Sequence, residues 1–251
     1  MFRTRFKQDI VAEFLPPARP HKKQRVILLC DGMPSMPRKQ PLAAFLSQKG
    51  YWVIYPRYRG AWESDGNFLE KSPHLDILDV IDELPKGMTD SAFGQKFSIS
   101  PDEIFVIGGS FGGPAAILSS LDPRVRRVIA NCPVVDWSIL SASEKAETTN
   151  PSYVAYIREA FGQGYRLSAR NWNKLRTGRF YNPAHHIDEI NPRKILMFHA
   201  KDDPYVPWPS VDRFARRTGA QLRLLSRGGH LRTESIVHRY WPLIKRFFDA
   251  R

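Results

Sequence analysis

The sequence predicts an α/β chain, a mostly parallel, doubly wound sheet with a helical cap inserted into it. Three observations predict this. Near-continuous apolar runs at 26–30, 104–107 and 195–198 have the pattern of strands buried on both faces. Helical patterns separate those runs, as parallel strands joined by helical crossovers require. The interval 138–190 breaks the alternation and is long enough to form a cap over the sheet. All 251 residues read as one domain, 1–251, with ample chain for a sizeable core.

The elements follow in order. Phe2, Arg3, Thr4, Arg5 and Phe6 alternate, and a Pro-rich turn at 16–20 follows, so an antiparallel edge hairpin is expected before the first parallel strand. Weaker strands are expected at 51–55, 125–130 and 222–225. Helices are expected at 41–49, at 75–84 with Leu75, Leu78 and Ile81 on one face, at 111–121, at 211–217 and at 235–248. Within the interval 138–190, a helix is expected with Asn150 or Ser152 near its start. Tyr153, Tyr156, Ile157, Ala160 and Phe161 lie at helical spacing along it, and Trp172, Phe180 and Tyr181 follow.

Composition narrows the classes. With 42% hydrophobic and 12% aromatic residues the chain is not a disordered one, and 16 Gly with 2 Cys exclude collagen-like and disulfide-stapled folds. Cys30 and Cys132 each end an apolar run and read as buried free thiols. The N-terminus has no apolar signal region and no stretch is long enough to span a bilayer, so a cytoplasmic setting is the expectation. The formal charge is +13. Residues 1–30 carry +5 and residues 201–251 carry +6, whereas residues 31–150 carry −3, with 12 bases against 15 acids. Bases interleaved in this way read as solvated helix faces, and no nucleic-acid partner is expected.

The chemistry centres on one turn. The strand ending at Ile107 runs into Gly108-Gly109-Ser110-Phe111-Gly112-Gly113, and a helix follows. G-x-S-x-G between strand and helix has the pattern of a nucleophile elbow; the alternatives are a Gly-rich phosphate loop, which lacks its Lys-Ser/Thr here, or a plain turn. A tight turn would project the hydroxyl of Ser110 beyond the sheet, and its small neighbours allow close approach of other backbone. The amide of Phe111, at the helix start, is placed to bind an oxyanion. A serine needs a base, and the base needs an acid. Gly228-Gly229-His230 follows one later strand, and His199-Ala200-Lys201-Asp202-Asp203-Pro204-Tyr205-Val206-Pro207 follows another. Ser110, Asp203 and His230 thus stand at three strand ends, where open α/β sheets bind ligands. Asp202 and Asp136 remain alternative acids. His238 reads as a surface or packing histidine, and His185-His186 lacks partners at ligand spacing, so neither a metal nor another cofactor is expected.

These motifs resemble the α/β-hydrolase superfamily, and within it the catalytic domain of prolyl-oligopeptidase-like serine hydrolases. The likeness rests on Gly108 to Gly112, on Asp203-Pro204-Tyr205-Val206-Pro207, on Gly228-Gly229-His230, and on Tyr58-Arg59-Gly60 with Ser64-Asp65-Gly66. It covers roughly residues 25–250. Members often carry His-Gly-Gly-Pro, or a tyrosine in the His position, after the third strand. Here Cys30-Asp31-Gly32-Met33-Pro34 stands there, so the second oxyanion donor falls to the amide of Met33, and the Asp31 carboxylate is expected to point away. No propeller-like filter is expected ahead of the hydrolase unit, so esters are expected over peptides. The resemblance implies a serine hydrolase of carboxylic esters working through an acyl-enzyme. The alternatives are a peptidase of short or N-blocked peptides and, behind it, a noncatalytic binding protein. Tyr153, Tyr156, Phe161, Trp172 and Tyr181 are candidates to line the substrate pocket. A small ester or short peptide is the expected partner, and the oligomeric state is left open.

Overall fold

The structure is a computed structural model and describes residues 1–19, 22–139 and 152–250. Ten strands and eight α-helices are assigned among them. The strands β1 (Phe2–Phe6) and β2 (Ile10–Leu15) form the expected antiparallel hairpin. Then come β3 (Arg25–Cys30), α1 (Gln40–Gln48), β4 (Trp52–Pro56) and α2 (Pro73–Glu83). A small hairpin, β5 (Met88–Thr89) with β6 (Lys96–Phe97), precedes β7 (Glu103–Gly109), α3 (Gly112–Ser119) and β8 (Val125–Asn131). Helices α4 (Ser152–Phe161) and α5 (Ala169–Asn173) lie between β8 and β9 (Ile195–Ala200). The chain continues as α6 (Trp208–Thr218), β10 (Gln221–Leu225), α7 (Thr233–Arg239) and α8 (Trp241–Asp249).

The main sheet has the order β1-β2-β4-β3-β7-β8-β9-β10. Only the β1–β2 and β2–β4 pairs are antiparallel; every pair from β4 to β10 is parallel. The side-chain period of two sends alternate residues to opposite faces, and both faces are apolar. On one face Val26, Leu28, Ile104, Val106, Ile195 and Met197 meet the buried residues of α2, α3, α4 and α6. On the other, Ile27, Leu29, Phe105, Ile107, Leu196 and Phe198 meet α1, α7 and α8. Each such Leu, Ile or Phe contributes about 1.5–3 kcal/mol by leaving water. Two cores on one sheet are the physical reason that the strand runs show no polar alternation.

Two elements differ from expectation. In α2 the buried stripe is Pro73, Ile77, Val80 and Ile81, continuing to Leu84, whereas Leu75 is 39% exposed and Leu78 only partly covered. A three-residue spacing drifts round a 3.6-residue helix, and the stripe that keeps to one face is the one that packs. The single helix expected over 235–248 is two, broken at Tyr240. Pro242 has no amide to donate and its ring crowds the carbonyl four residues back, so the chain restarts there as α8. Of the interval 138–190, residues 140–151 with Asn150 lie outside the described residues, as does Pro20. No helix among the described residues is long and apolar enough to cross a membrane.

Candidate active site

The carboxyl ends of β7, β8, β9 and β10 lie side by side, and the residues singled out by sequence sit just beyond them. Ser110 leaves β7 with φ +54, in the left-handed region. Its amide donates to the Asn131 carbonyl (2.8 Å), and its carbonyl accepts from Gly113 (2.9 Å). The flanking glycines are a steric necessity. A Cβ on Gly108 would lie 2.1 Å from the Gly112 carbonyl oxygen, and one on Gly112 would lie 2.5 Å from the carbonyls of Cys30 and Asp31. The elbow therefore folds back on itself and onto the end of β3 at contact distance.

His230 follows β10, and its Nδ1 lies 2.9 Å from Oδ2 of Asp203, in the loop after β9. The Asp203 side chain is fully buried. Burial alone pushes its carboxyl up, but His230 and the amides of Tyr205 and Val206, 2.9 and 3.1 Å from Oδ1, hold it below the usual carboxylate range. Asp202 instead accepts from the Gly229 amide (2.8 Å) and so ties down the histidine loop. Asp136 accepts from the amide and hydroxyl of Ser138. Asp203 is thus the carboxylate that meets His230. Ser110 and His230 both line a cavity of about 580 Å³, although among the described residues no hydrogen bond joins them.

The loop after β3 closes the other side of the cavity. A Cβ on Gly32 would lie 3.5 Å from the Cβ of Ser110, so this loop adjoins the elbow. The Asp31 carboxylate is occupied by Tyr55, by the Gly32 amide (3.0 Å) and by Lys39 (3.0 Å). Its charge is thereby compensated, and the Gly32 amide is used. Among the described residues the amides of Met33 and Phe111 have no hydrogen-bond partner. Met33 lines the cavity; the Phe111 ring is buried and packs against Tyr181, Phe68, Trp137 and Tyr58.

The five candidate pocket aromatics divide. Tyr153 and Tyr156 line the cavity. Trp172 stacks behind Tyr153 (5.0 Å between rings), and Phe161 packs edge-on against Tyr165. Tyr181 is buried under the elbow, donating to the Phe111 carbonyl and accepting from the Ala115 amide. None of these three lines the cavity, because their rings are taken up in packing against Tyr153, Tyr165 and Phe111. Arg59 pairs with Asp9, Asp76 and Asp79, and Ser64 bridges Val11 and Arg57, so that motif secures the fold rather than the cavity. His238 packs on Phe45, and His186 pairs with Glu189.

Sequence reasoning missed three groups here. Tyr205 is half exposed, lines the cavity and presents its ring edge-on to His230 at 5.3 Å; its place two residues after Asp203 was the available signal. Arg38 and Arg232 also line the cavity, but nothing in their local sequence marks them. Cys132, just past β8, has φ +44 and is fully buried, with its sulfur within 4.8 Å of the ligating atoms of Asp203 and His230. Burial, the Asp203 charge and a hydrogen bond to Asp203 push this thiol up.

Known proteins place this architecture. Residues 27–238 match the model of a family described as the alpha/beta hydrolase family. No curated protein sequence matches the chain. Among solved structures, acylaminoacyl peptidase of Pyrococcus horikoshii superposes with a TM-score of 0.66 at 14% identity; the match covers 100% of this chain but 42% of that one. Est1E of Butyrivibrio proteoclasticus, with ferulic acid bound, gives 0.65 at 15% identity and 100% cover of both chains. A soluble variant of the monoglyceride lipase of Saccharomyces cerevisiae, in complex with a substrate analogue, gives 0.66 at 17% identity, covering 98% of this chain and 94% of that one. At these identities the likeness is one of fold, and the sheet order and the family match agree on it. The chain belongs to the alpha/beta hydrolase family.

Proposed function

We propose that this chain hydrolyses carboxylic esters through an acyl-enzyme on Ser110. The observation that carries the reading is the arrangement on one cavity: a serine on a left-handed elbow, and across from it an imidazole whose Nδ1 is held by a buried carboxylate. Nδ1–H of His230 donates to Asp203, which leaves Nε2 as the base that takes the Ser110 proton during attack on the carbonyl carbon. The oxyanion is received by the amides of Met33 and Phe111, both unspent on other partners. His230 then protonates the departing alcohol, and water, activated by the same imidazole, releases the acid.

The cavity volume suits a small ester, with the phenol rings of Tyr153, Tyr156 and Tyr205 as its aromatic wall. The interval 138–190 is read as the cap, and its described part brings Tyr153 and Tyr156 to the cavity wall. The ferulic acid bound to Est1E and the substrate analogue bound to the yeast lipase lean the same way. Peptide hydrolysis is the second reading, supported by the likeness to acylaminoacyl peptidase, of whose length this chain spans about two fifths. The test is labelling with a fluorophosphonate probe, followed by turnover of p-nitrophenyl esters against aminoacyl anilides. Ser110→Ala should abolish labelling and lower ester turnover by at least about 10³-fold. An S110A protein that labels and turns over like the parent overturns the proposal, and anilide turnover exceeding ester turnover moves it to the peptidase.

A further inference from the structure

The proposed ester chemistry has no use for Cys132, yet the thiol lies against its acid–base pair. The sulfur of Cys132, a carboxylate oxygen of Asp203 and a ring nitrogen of His230 all lie within 4.8 Å of one another, the one such trio of ligating groups among the described residues. We infer that this trio is an inhibitory site for a borderline-soft divalent cation of the zinc type. The donor set, one sulfur, one nitrogen and one oxygen, is one that zinc accepts and that magnesium or calcium does not.

The nitrogen–oxygen edge of the site needs little adjustment, and the sulfur, within 4.8 Å of both atoms, has to close to about 3.5 Å. Zinc bonds of about 2.0–2.1 Å to nitrogen and oxygen in a tetrahedral site put those two atoms about 3.3 Å apart. The Nδ1 of His230 and the Oδ2 of Asp203 are 2.9 Å apart, and His230, on the wall of the open cavity, is the partner able to draw back. Cys132 supplies the third position from the neighbouring strand end, held there by its left-handed backbone and by the bond from its amide to the Phe198 carbonyl (2.8 Å). The fourth position is left to a water from the cavity, because Nε2 of His199, 3.6 Å from Oδ2 of Asp203, already donates to the Val206 carbonyl (3.0 Å). On binding, the thiol proton passes to water and the Nδ1 proton is carried by water to Nε2, so that the sulfur and Nδ1 are both free to ligate the cation.

The consequence for turnover rests on the ester reading. A cation on Nδ1 detaches Asp203 and fixes the ring as the Nε2–H tautomer, so Nε2 has no lone pair left to take the Ser110 proton. Occupancy itself does not rest on that reading, and two measurements separate them. Cobalt(II) titrated into the full chain should give a sulfur-to-cobalt charge-transfer band in the near ultraviolet. That band should be lost in Cys132→Ser, which keeps the size and branching of the side chain. Zinc should inhibit p-nitrophenyl ester turnover, and the zinc concentration for half-inhibition should rise at least about tenfold in the same variant, each protein being scaled to its own zinc-free rate. Magnesium at the same concentrations should leave turnover unchanged. Absence of the band from the parent chain, or its persistence in C132S, overturns the site whatever the activity does. A band lost in C132S, in a chain with no ester turnover, keeps the site and sinks the ester reading instead.

Discussion

Asp202 and Asp203 are neighbours in the chain and opposites in role. One accepts from a loop amide at the surface; the other lies fully buried beneath the imidazole. Replacing Asp203 by Asn should leave the imidazole in the wrong tautomer and lower kcat about 10³- to 10⁴-fold for an activated ester, with little change in KM. Asp202→Asn keeps an oxygen able to accept from Gly229 and should stay within a few-fold, as a kcat comparison of the two variants would check. Ser110, Asp203 and His230 were legible in the sequence because each stands in a short motif at a strand end, where local chemistry and position agree. Tyr205, Arg38 and Arg232 were not, because lining a cavity depends on how separate loops meet, and no local pattern encodes that.

Among the elements, α2 shows where periodicity runs out. Its apolar residues permit two stripes, and only packing against the sheet selects the one through Ile77, Val80 and Ile81. The same helix carries His74 in its first turn, hydrogen-bonded to the hydroxyl of Ser72 (2.8 Å). Burial, helped by the nearby charge of His186, lowers its pKa from the ordinary 6.5 to about 4. Between those values the unfolded chain binds the proton and the folded chain does not, so this histidine's contribution is present above about pH 6.5 and is lost as the pH falls towards 4. His74→Gln should therefore gain stability relative to the parent by about 3 kcal/mol between pH 7 and pH 4. Urea midpoints of both proteins across that range would show it, and parallel curves would refute it. The strands were read with less trouble than the helices, because burial on both faces leaves continuous runs that only a strand of that length explains. Their order in the sheet was not legible, since nothing in a single run names its neighbour.

At the scale of the whole molecule, the +13 charge is spread over structural tasks as well as over the cavity rim. Arg126 and Arg127 of β8 reach the end of α8: Arg126 donates to the Ala250 carbonyl (2.8 Å), and Arg127 to those of Phe247 (3.3 Å) and Ala250 (3.1 Å). These are the carbonyls a helix leaves unsatisfied at its carboxyl end, where positive charge also complements the dipole. Replacing both arginines by Ala should cost about 1–2 kcal/mol and lower Tm by about 3–6 °C by calorimetry, without altering fluorophosphonate labelling. The sheet order has a further consequence, for the timing of folding. Ser110 follows directly on a central strand, whereas Asp203 and His230 depend on β9 and on β10, the edge strand, none of whose residues is fully buried. A chain emerging from the ribosome presents its elbow long before the strands that bring acid and base. During synthesis Ser110 is therefore a bystander. Reactivity towards a fluorophosphonate, under the proposed chemistry, becomes a clock that starts only when the last edge of the sheet has docked.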